Sequence, residues 1–420
     1  MIQKCSLLFL LLSGPVATLQ AQTDTISEYP LSQGCCPNGI TNGPDGALWF
    51  TAGYVIGRIT TSGVLSYYPV PFTPQGAIAE GPDHALWFTG SDASVGSIGR
   101  LTPAGHLTQY STPTVNSFPQ AITAGPDGAM WFTESEANNI GRVTTAGVIQ
   151  EYAIPTPDSY PIGIAAGPDG ALWFTESIAN QIGRITTAGV IQEFTLGNGL
   201  ASPNWITTGP DGALWFTELS LPAARIGRIT TAGVVTSFVL SPEGATGQIT
   251  AGPDGALWFT GGVFNSVGRI TTSGVVTEYS LPTASSFPTG IATGSDGALW
   301  LVENSAGNIA RATACGIGLS LSFANSTLTI NFDVGVTTAA TWRAWLVAGS
   351  GGSRLFEKPV KPLVPPRAVT DTLANFSGQG SVEVFSTLSS ANGITCSDEQ
   401  ILEINGSSPA EQAGIPQGLP

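Results

Sequence analysis

The chain has 420 residues, with Gly 53 and Pro 30 but only 10% charged residues. That balance implies many turns and few salt-bridged helices, and sustained apolar spacing at i, i+3, i+4 is absent, so the chain reads as all-β. Its formal net charge of −15 sets it against nucleic acid and anionic lipid, because an acidic surface repels phosphate.

The chain opens MIQKCSLLFLLLSGPVATLQAQ. Lys4 supplies a positive charge, Leu7–Leu12 an apolar core, and Leu19-Gln20-Ala21 a small-residue cleavage site, so residues 1–21 read as a secretory signal peptide. The apolar run is too short to span a bilayer, and no later stretch reaches about 18 apolar residues. Cys5 precedes the run, badly placed for a lipid anchor. The expectation is a soluble protein without a membrane span, secreted or periplasmic, with a monomer favoured. TISEYPL (Thr25–Leu31) follows; it resembles VIQEYAI at Val148 and VVTEYSL at Val275.

GPDGALWFTE at Gly167–Glu176 has near copies beginning at Gly43, Gly81, Gly125, Gly209, Gly252 and Gly294, spaced 38 to 44 residues apart. A period of that length marks a solenoid or a propeller. The copy Pro161–Pro203 divides into strand A (Gly163–Ala166), a Gly-Pro-Asp-Gly turn, and strand B (Ala171–Thr175). The loop Ser177–Asn180, strand C (Ile182–Thr186), a Thr-Ala-Gly turn and strand D (Val190–Leu196) complete it. Pro presets φ, Asp bonds its downstream backbone and Gly accepts positive φ, so the turns have a mechanism. Four meandering strands make one blade, and blades bury their faces only by stacking. A seven-bladed β-propeller over residues 22–316 is therefore expected. The seventh copy loses its strand D pattern after Ala314-Cys315-Gly316, so Thr25–Leu31 is expected to supply that strand and close the ring.

A residue needed in every blade answers a need that every blade shares. The repeated Trp (Trp49, Trp87, Trp131, Trp173, Trp215, Trp258, Trp300) is read as inter-blade packing ahead of ligand stacking. The repeated Arg (Arg58 to Arg311) is read as pairing with a carboxylate or carbonyl. The turn Asp residues are read as turn formers, with calcium binding the alternative.

Function is expected where the copies differ. The D-to-A connections and B-to-C loops share one end of the ring, face X; the GPDG and TTAG turns share the other, face Y. Face X carries Asn38, Gln75, Gln120, Asn204, Trp205, Gln248 and Thr289 in its connections. Glu134, Glu176, Glu218 and Glu303 stand at its B-to-C loops. If these groups ring the channel mouth, they suit a polar ligand such as a glycan or peptide; the alternative is a merely solvated loop face. Cys35 and Cys36 fall on face X and Cys315 on face Y, which favours a Cys315–Cys396 disulfide. Cys35 and Cys36 then form a vicinal disulfide or remain thiols.

GPDGALWFTE, a loop, then IGRITTAGVIQEY resembles the virginiamycin B lyase family over Thr25 to about Gly316. The resemblance implies a seven-bladed propeller. In active members it implies a magnesium-dependent elimination that opens the ester ring of a streptogramin B antibiotic. Those members carry a His just after the Pro of the D-to-A connection in the last two blades, and a Glu just before the final Pro. Here Gly247 and Thr289 stand at the His positions and Phe287 at the Glu position. Glu303 alone matches a metal-binding acid of the family. The two histidines, His84 and His106, fall in face Y turns. An elimination needs a base near neutral pKa, which Thr and Gly cannot supply; a Glu with a raised pKa could.

From Ile317 the period stops. LSLSFANSTLTINFDVG reads as a hairpin, with further strands at Thr341–Ala348 and Gly380–Thr387. KPVKPLVPPR (Lys358–Arg367) suits an extended edge or linker. A small β-sandwich-like domain over 317–406 and a disordered tail over 407–420 are expected. Three readings of function remain: a binding module, a Mg-dependent carbon–oxygen lyase, or a structural module of the cell surface.

Overall fold

The computed structural model describes residues 26–34, 36–92, 95–197, 202–219, 224–240, 247–262 and 265–312 in full. It describes the backbone of strands within 317–404. The segments expected to be a signal peptide (residues 1–21) and a tail (residues 407–420), the Pro-rich residues 358–366, Cys35 and Cys315 lie outside the described residues.

Seven four-stranded antiparallel sheets form the propeller. Blade 4 has strands Pro161–Ala166, Leu172–Glu176, Gln181–Ile185 and Ile191–Thr195. Its second strand starts one residue later than the sequence suggests, because Asp169 Oδ1 accepts from the Ala171 amide and keeps that residue in the turn. Strand Ile26–Pro30 pairs antiparallel with Asn308–Ala312 of blade 7, as the sequence similarity leads one to expect. The chain's two ends of the propeller thus meet in one sheet, whose order runs from the N-terminal strand inward to Pro288–Thr293.

Blades stack by matching unlike faces. Trp131 and Ile140 of blade 3 pack against Leu172, Phe174 and Ile185 of blade 4. Across the seam, Trp300, Val302 and Ile309 of blade 7 pack against Leu48, Phe50 and Ile59 of blade 1. The packing reading of the repeated Trp therefore holds; each buried indole hides roughly 150–250 Å², about 4 to 6 kcal/mol of apolar burial before ordering entropy is subtracted.

The turn Asp and the repeated Arg serve that Trp. In blade 4, Trp173 Nε1 donates to Asp169 Oδ1 at 3.0 Å and Arg184 Nε donates to Asp169 Oδ2 at 2.7 Å. Arg184 also lies over the Trp173 ring, 5.9 Å from its centroid. Burial pushes the Asp169 carboxyl up, but the Trp173 and Arg184 hydrogen bonds outweigh it and hold the group below the usual carboxylate range. The same Trp-to-Asp and Arg-to-Asp bonds recur in all seven blades, so the Asp oxygens are already engaged within the blade.

The Thr of strand B forms a belt around the inner strands. Thr133 Oγ1 accepts from the Ala121 amide of its own blade at 3.1 Å and donates to Ile162 O of the next at 2.7 Å. Thr89 and Thr260 donate likewise to Gln120 O and Thr289 O. Blade 7 has Val302 at this position and cannot donate.

After the propeller, strands Ile317–Ala324, Thr327–Val334 and Arg367–Ala374 form one antiparallel sheet. Strands Ala340–Ala348, Gly380–Ser390 and Thr395–Ile404 form another. Cys396 lies on the last strand, but its expected partner Cys315 is outside the described residues.

Candidate functional site on face X

The D-to-A connections and B-to-C loops do share one end of the ring. The Ser177 amide donates to Tyr160 O and the Ile178 amide to Ser159 O, which ties loop to connection in blade 4. Blade 7 repeats the tie, with Asn304 N donating to Phe287 O. His84 sits in the blade 2 GPDG-type turn with its ring 79% exposed, held by Glu80 at 3.0 Å. His106 is exposed after the next turn of that blade. Both lie on face Y, away from this rim.

The amides at the rim are half-buried and partly engaged. Asn38 Nδ2 donates to Gln75 O, Gln75 Nε2 to Ser91 Oγ, and Gln248 Oε1 accepts from the Ile291 amide. Gln120 and Asn204 give their carbonyls to the threonine belt. Trp205 does not stand on the rim. Its indole reaches across the channel toward Gly76 of blade 2, and with Gln248 it lines a cavity of about 220 Å³ ringed by Ile40, Ile78, Ile122, Ile164, Ile206 and Ile249.

The four glutamates differ most from expectation. Glu134, Glu176, Glu218 and Glu303 are 0% exposed, so they do not ring the channel mouth. Each ends strand B on the face opposite Trp, where it turns inward beneath the connection. Glu134 Oε2 accepts from Asn139 at 3.2 Å; Glu303 Oε2 accepts from Asn308 at 3.0 Å; Glu218 Oε2 accepts from Ser237 at 3.4 Å. Glu134 Oε1, Glu303 Oε1 and both oxygens of Glu176 have no partner among the described residues. Burial, and then the facing acids Glu151 and Glu193, push the Glu134 and Glu176 carboxyls up to about 8. Glu303 is pushed up by burial, with Glu28 adding to it. Sequence reading missed Glu28, Glu151 and Glu193 as partners; the signal was the acid recurring in strand D of the same blades.

The positions tied to lyase chemistry are committed to packing. At Gly247 a Cβ would lie 2.3 Å from Thr260 Oγ1 and 2.9 Å from Thr289 O, so no side chain fits without displacement. Thr289 Oγ1 donates to Asn38 O at 3.1 Å. That bond carries the belt across the seam where Val302 cannot. Phe287 is 43% exposed, lies against Gly262, and has φ 52°. Phe118 and Tyr160, before the equivalent Pro, share this left-handed backbone at φ 51° and 56°, a strain of about 1–2 kcal/mol for a bulky residue.

A magnesium ion would need several oxygen donors around Glu303. The Glu303 carboxyl is wholly buried, and no group of three His, Cys, Asp or Glu among the described residues could hold a metal ion. The residues present do not fit that ion.

Comparison with known proteins agrees with the fold. The family model described as "Virginiamycin B lyase family" matches residues 8–218 and 196–317. A structure described as streptogramin B lyase is 37% identical, with a TM-score of 0.65 over 70% of this chain and 99% of that one. The selenomethionine virginiamycin B lyase from Staphylococcus aureus is 38% identical, with a TM-score of 0.65 over 69% of this chain and 99% of that one. A catalytically inactive His-to-Ala variant of the same Staphylococcus aureus enzyme, solved with quinupristin, matches at 37% identity, with a TM-score of 0.65 over 69% and 99% of the two chains. No curated protein sequence matches. The chain belongs to the virginiamycin B lyase family.

Proposed function

We propose that this propeller is an exported binding module that takes a polar ligand, a glycan or a peptide, on face X. The single observation that carries this reading is the occupancy of the lyase positions. Gly247 has no room for a side chain and Thr289 closes the belt, so neither offers a base. A His-to-Ala change accompanies loss of catalysis in the Staphylococcus aureus enzyme, and both family His positions here lack imidazole. The ligand class follows from the rim: Phe287 and Tyr54 are exposed, and amides stand beside the connections. Aromatic faces stack on sugar rings and apolar side chains, while amides bond hydroxyls or peptide groups.

The active-lyase reading rests on Glu303, which occupies the family's metal-acid position and has a raised pKa. Incubating the purified protein with a streptogramin B and Mg²⁺, followed by mass spectrometry, decides between the two. The expected result is no linearised product above the protein-free blank. Robust turnover that disappears in Glu303→Ala overturns the binding reading. On glycan and peptide arrays, Phe287→Ala is expected to weaken the best hit about tenfold, roughly 1.4 kcal/mol. Unchanged binding in that variant would favour a purely structural module.

A further inference from the structure

Blades 3 and 4 each set a buried glutamate, Glu134 or Glu176, toward a half-buried one, Glu151 or Glu193, on the same face of the sheet. Glu134 Oε1 has no hydrogen-bond donor among the described residues. Glu151 stands opposite Gly141, the position from which Ser237 of blade 5 reaches the Glu218 carboxyl at 3.4 Å, and its charge acts on Glu134. Glu176 has neither oxygen engaged and faces Glu193 in the same way. Two carboxylates side by side in a buried setting cannot both ionise cheaply. The surrounding groups relieve the conflict only in part: Asn139 and Ser117 beside Glu134, and Ser159 beside Glu176, favour the charged form but do not outweigh burial and the facing acid. Arg142 and Arg184 lie on the other face of their sheets, held by Asp127 and Asp169. Ser117 Oγ pairs with Thr112 Oγ1, and Ser159 Oγ donates to Asn138 Oδ1. Asn139 Nδ2 reaches only Glu134 Oε2. Two further acids of the adjoining loop and connection, Glu136 and Asp158, are exposed.

The second glutamate of each pair also holds the rim. Glu151 accepts from the Thr114 amide at 3.0 Å and its hydroxyl at 2.6 Å. Glu193 accepts from the Thr156 amide at 2.9 Å. Thr114 and Thr156 belong to the connections that lead to Phe118 and Tyr160. We propose that the Glu134–Glu151 and Glu176–Glu193 pairs each share one proton, and that its loss releases the two connections and loosens this part of face X. This latch does not depend on the rim binding a ligand.

The sign follows from proton binding. An acid whose folded pKa is raised holds its proton more tightly in the folded state. The stability it contributes is fully present below the unfolded value near 4.5 and is lost as pH rises through about 8. Hydrogen exchange of residues 112–118 and 154–160, corrected for intrinsic pH dependence, reads the latch directly. Wild-type protection there is expected to fall at least about tenfold between pH 6 and pH 9, while the strand B amides stay protected. Glu134→Gln/Glu176→Gln keeps a neutral donor toward Glu151 and Glu193, and its protection is expected to stay level across that range. If the pair folds poorly, Glu151→Gln and Glu193→Gln must likewise reduce the fall in melting temperature between pH 6 and pH 9, the remainder belonging to raised acids elsewhere such as Glu303 and Glu278. An unaltered pH response in these variants overturns the proposal. So does restoration of wild-type protection at pH 9 by millimolar Ca²⁺ or Mg²⁺, which would mean that a cation, not a proton, neutralises each pair.

Discussion

A chain shortened to begin at Ser32 unfolds at markedly lower denaturant than the intact propeller and associates with itself. The segment removed is the outer strand of blade 7, paired along Asn308–Ala312. Its loss removes the Tyr29–Trp300 stack, 5.8 Å between ring centroids, and the Glu28 contacts to the Thr283 amide and hydroxyl. Ile26 leaves the blade 6–blade 7 core and Tyr29 the blade 7–blade 1 core. Two such side chains, at roughly 1.5–3 kcal/mol each, with the ladder bonds, put the loss at about 5 kcal/mol. Strand Asn308–Ala312 then becomes a free edge, which other copies can pair with. Guanidinium titration with size-exclusion chromatography measures both effects, and a synthetic peptide covering residues 25–31 should restore part of the stability. A truncated chain as stable and as monomeric as the parent would mean the ring is closed by packing alone.

The second large effect is expected at a glycine. In blades 1 to 6 the strand B phenylalanine lies flat on a strand C glycine. At Gly183 a Cβ would stand 2.0 Å from the Phe174 ring. Gly183→Ala must therefore displace a fully buried aromatic ring, at a cost of about 3 kcal/mol, the upper end for overpacking. Blade 7 shows the compatible alternative, Leu301 opposite Ala310 in the same register. Adding Phe174→Leu to Gly183→Ala should thus recover more than half the lost stability, a coupling that a double-mutant cycle in urea measures. Additive losses would show that the two positions do not share one packing unit.

Much of this architecture could be read before any coordinates. Blade number, turn chemistry and the closing strand all follow from the period and from TISEYPL, since each copy must satisfy the same local demands. Gly247, Thr289 and Phe287 also stood out at once as departures from the family pattern. The rim was harder. Glu134, Glu176, Glu218 and Glu303 follow directly on the Trp-Phe-Thr or Trp-Leu-Val run and precede a loop, which suggested exposure. Strand alternation instead sends each of them to the Phe side of the sheet, where a connection from the preceding blade covers it. Trp205 looked like a rim residue because it falls where a connection enters strand A, yet it lines the channel.

The amino-acid order settled the elements that each copy builds for itself: four strands, two turns, and the Asp–Trp–Arg contacts within a blade. It could not say which strand-end groups meet, because those encounters join segments tens to hundreds of residues apart. Thr289 bonds Asn38 and Glu28 bonds Thr283 only once the circle is complete. The facing of Glu134 by Glu151 and of Glu176 by Glu193 likewise appears only when strand D folds back beside strand C and a neighbouring connection shuts out water. Burial of like charges is a property of that assembled surface, and no stretch of the chain carries it alone.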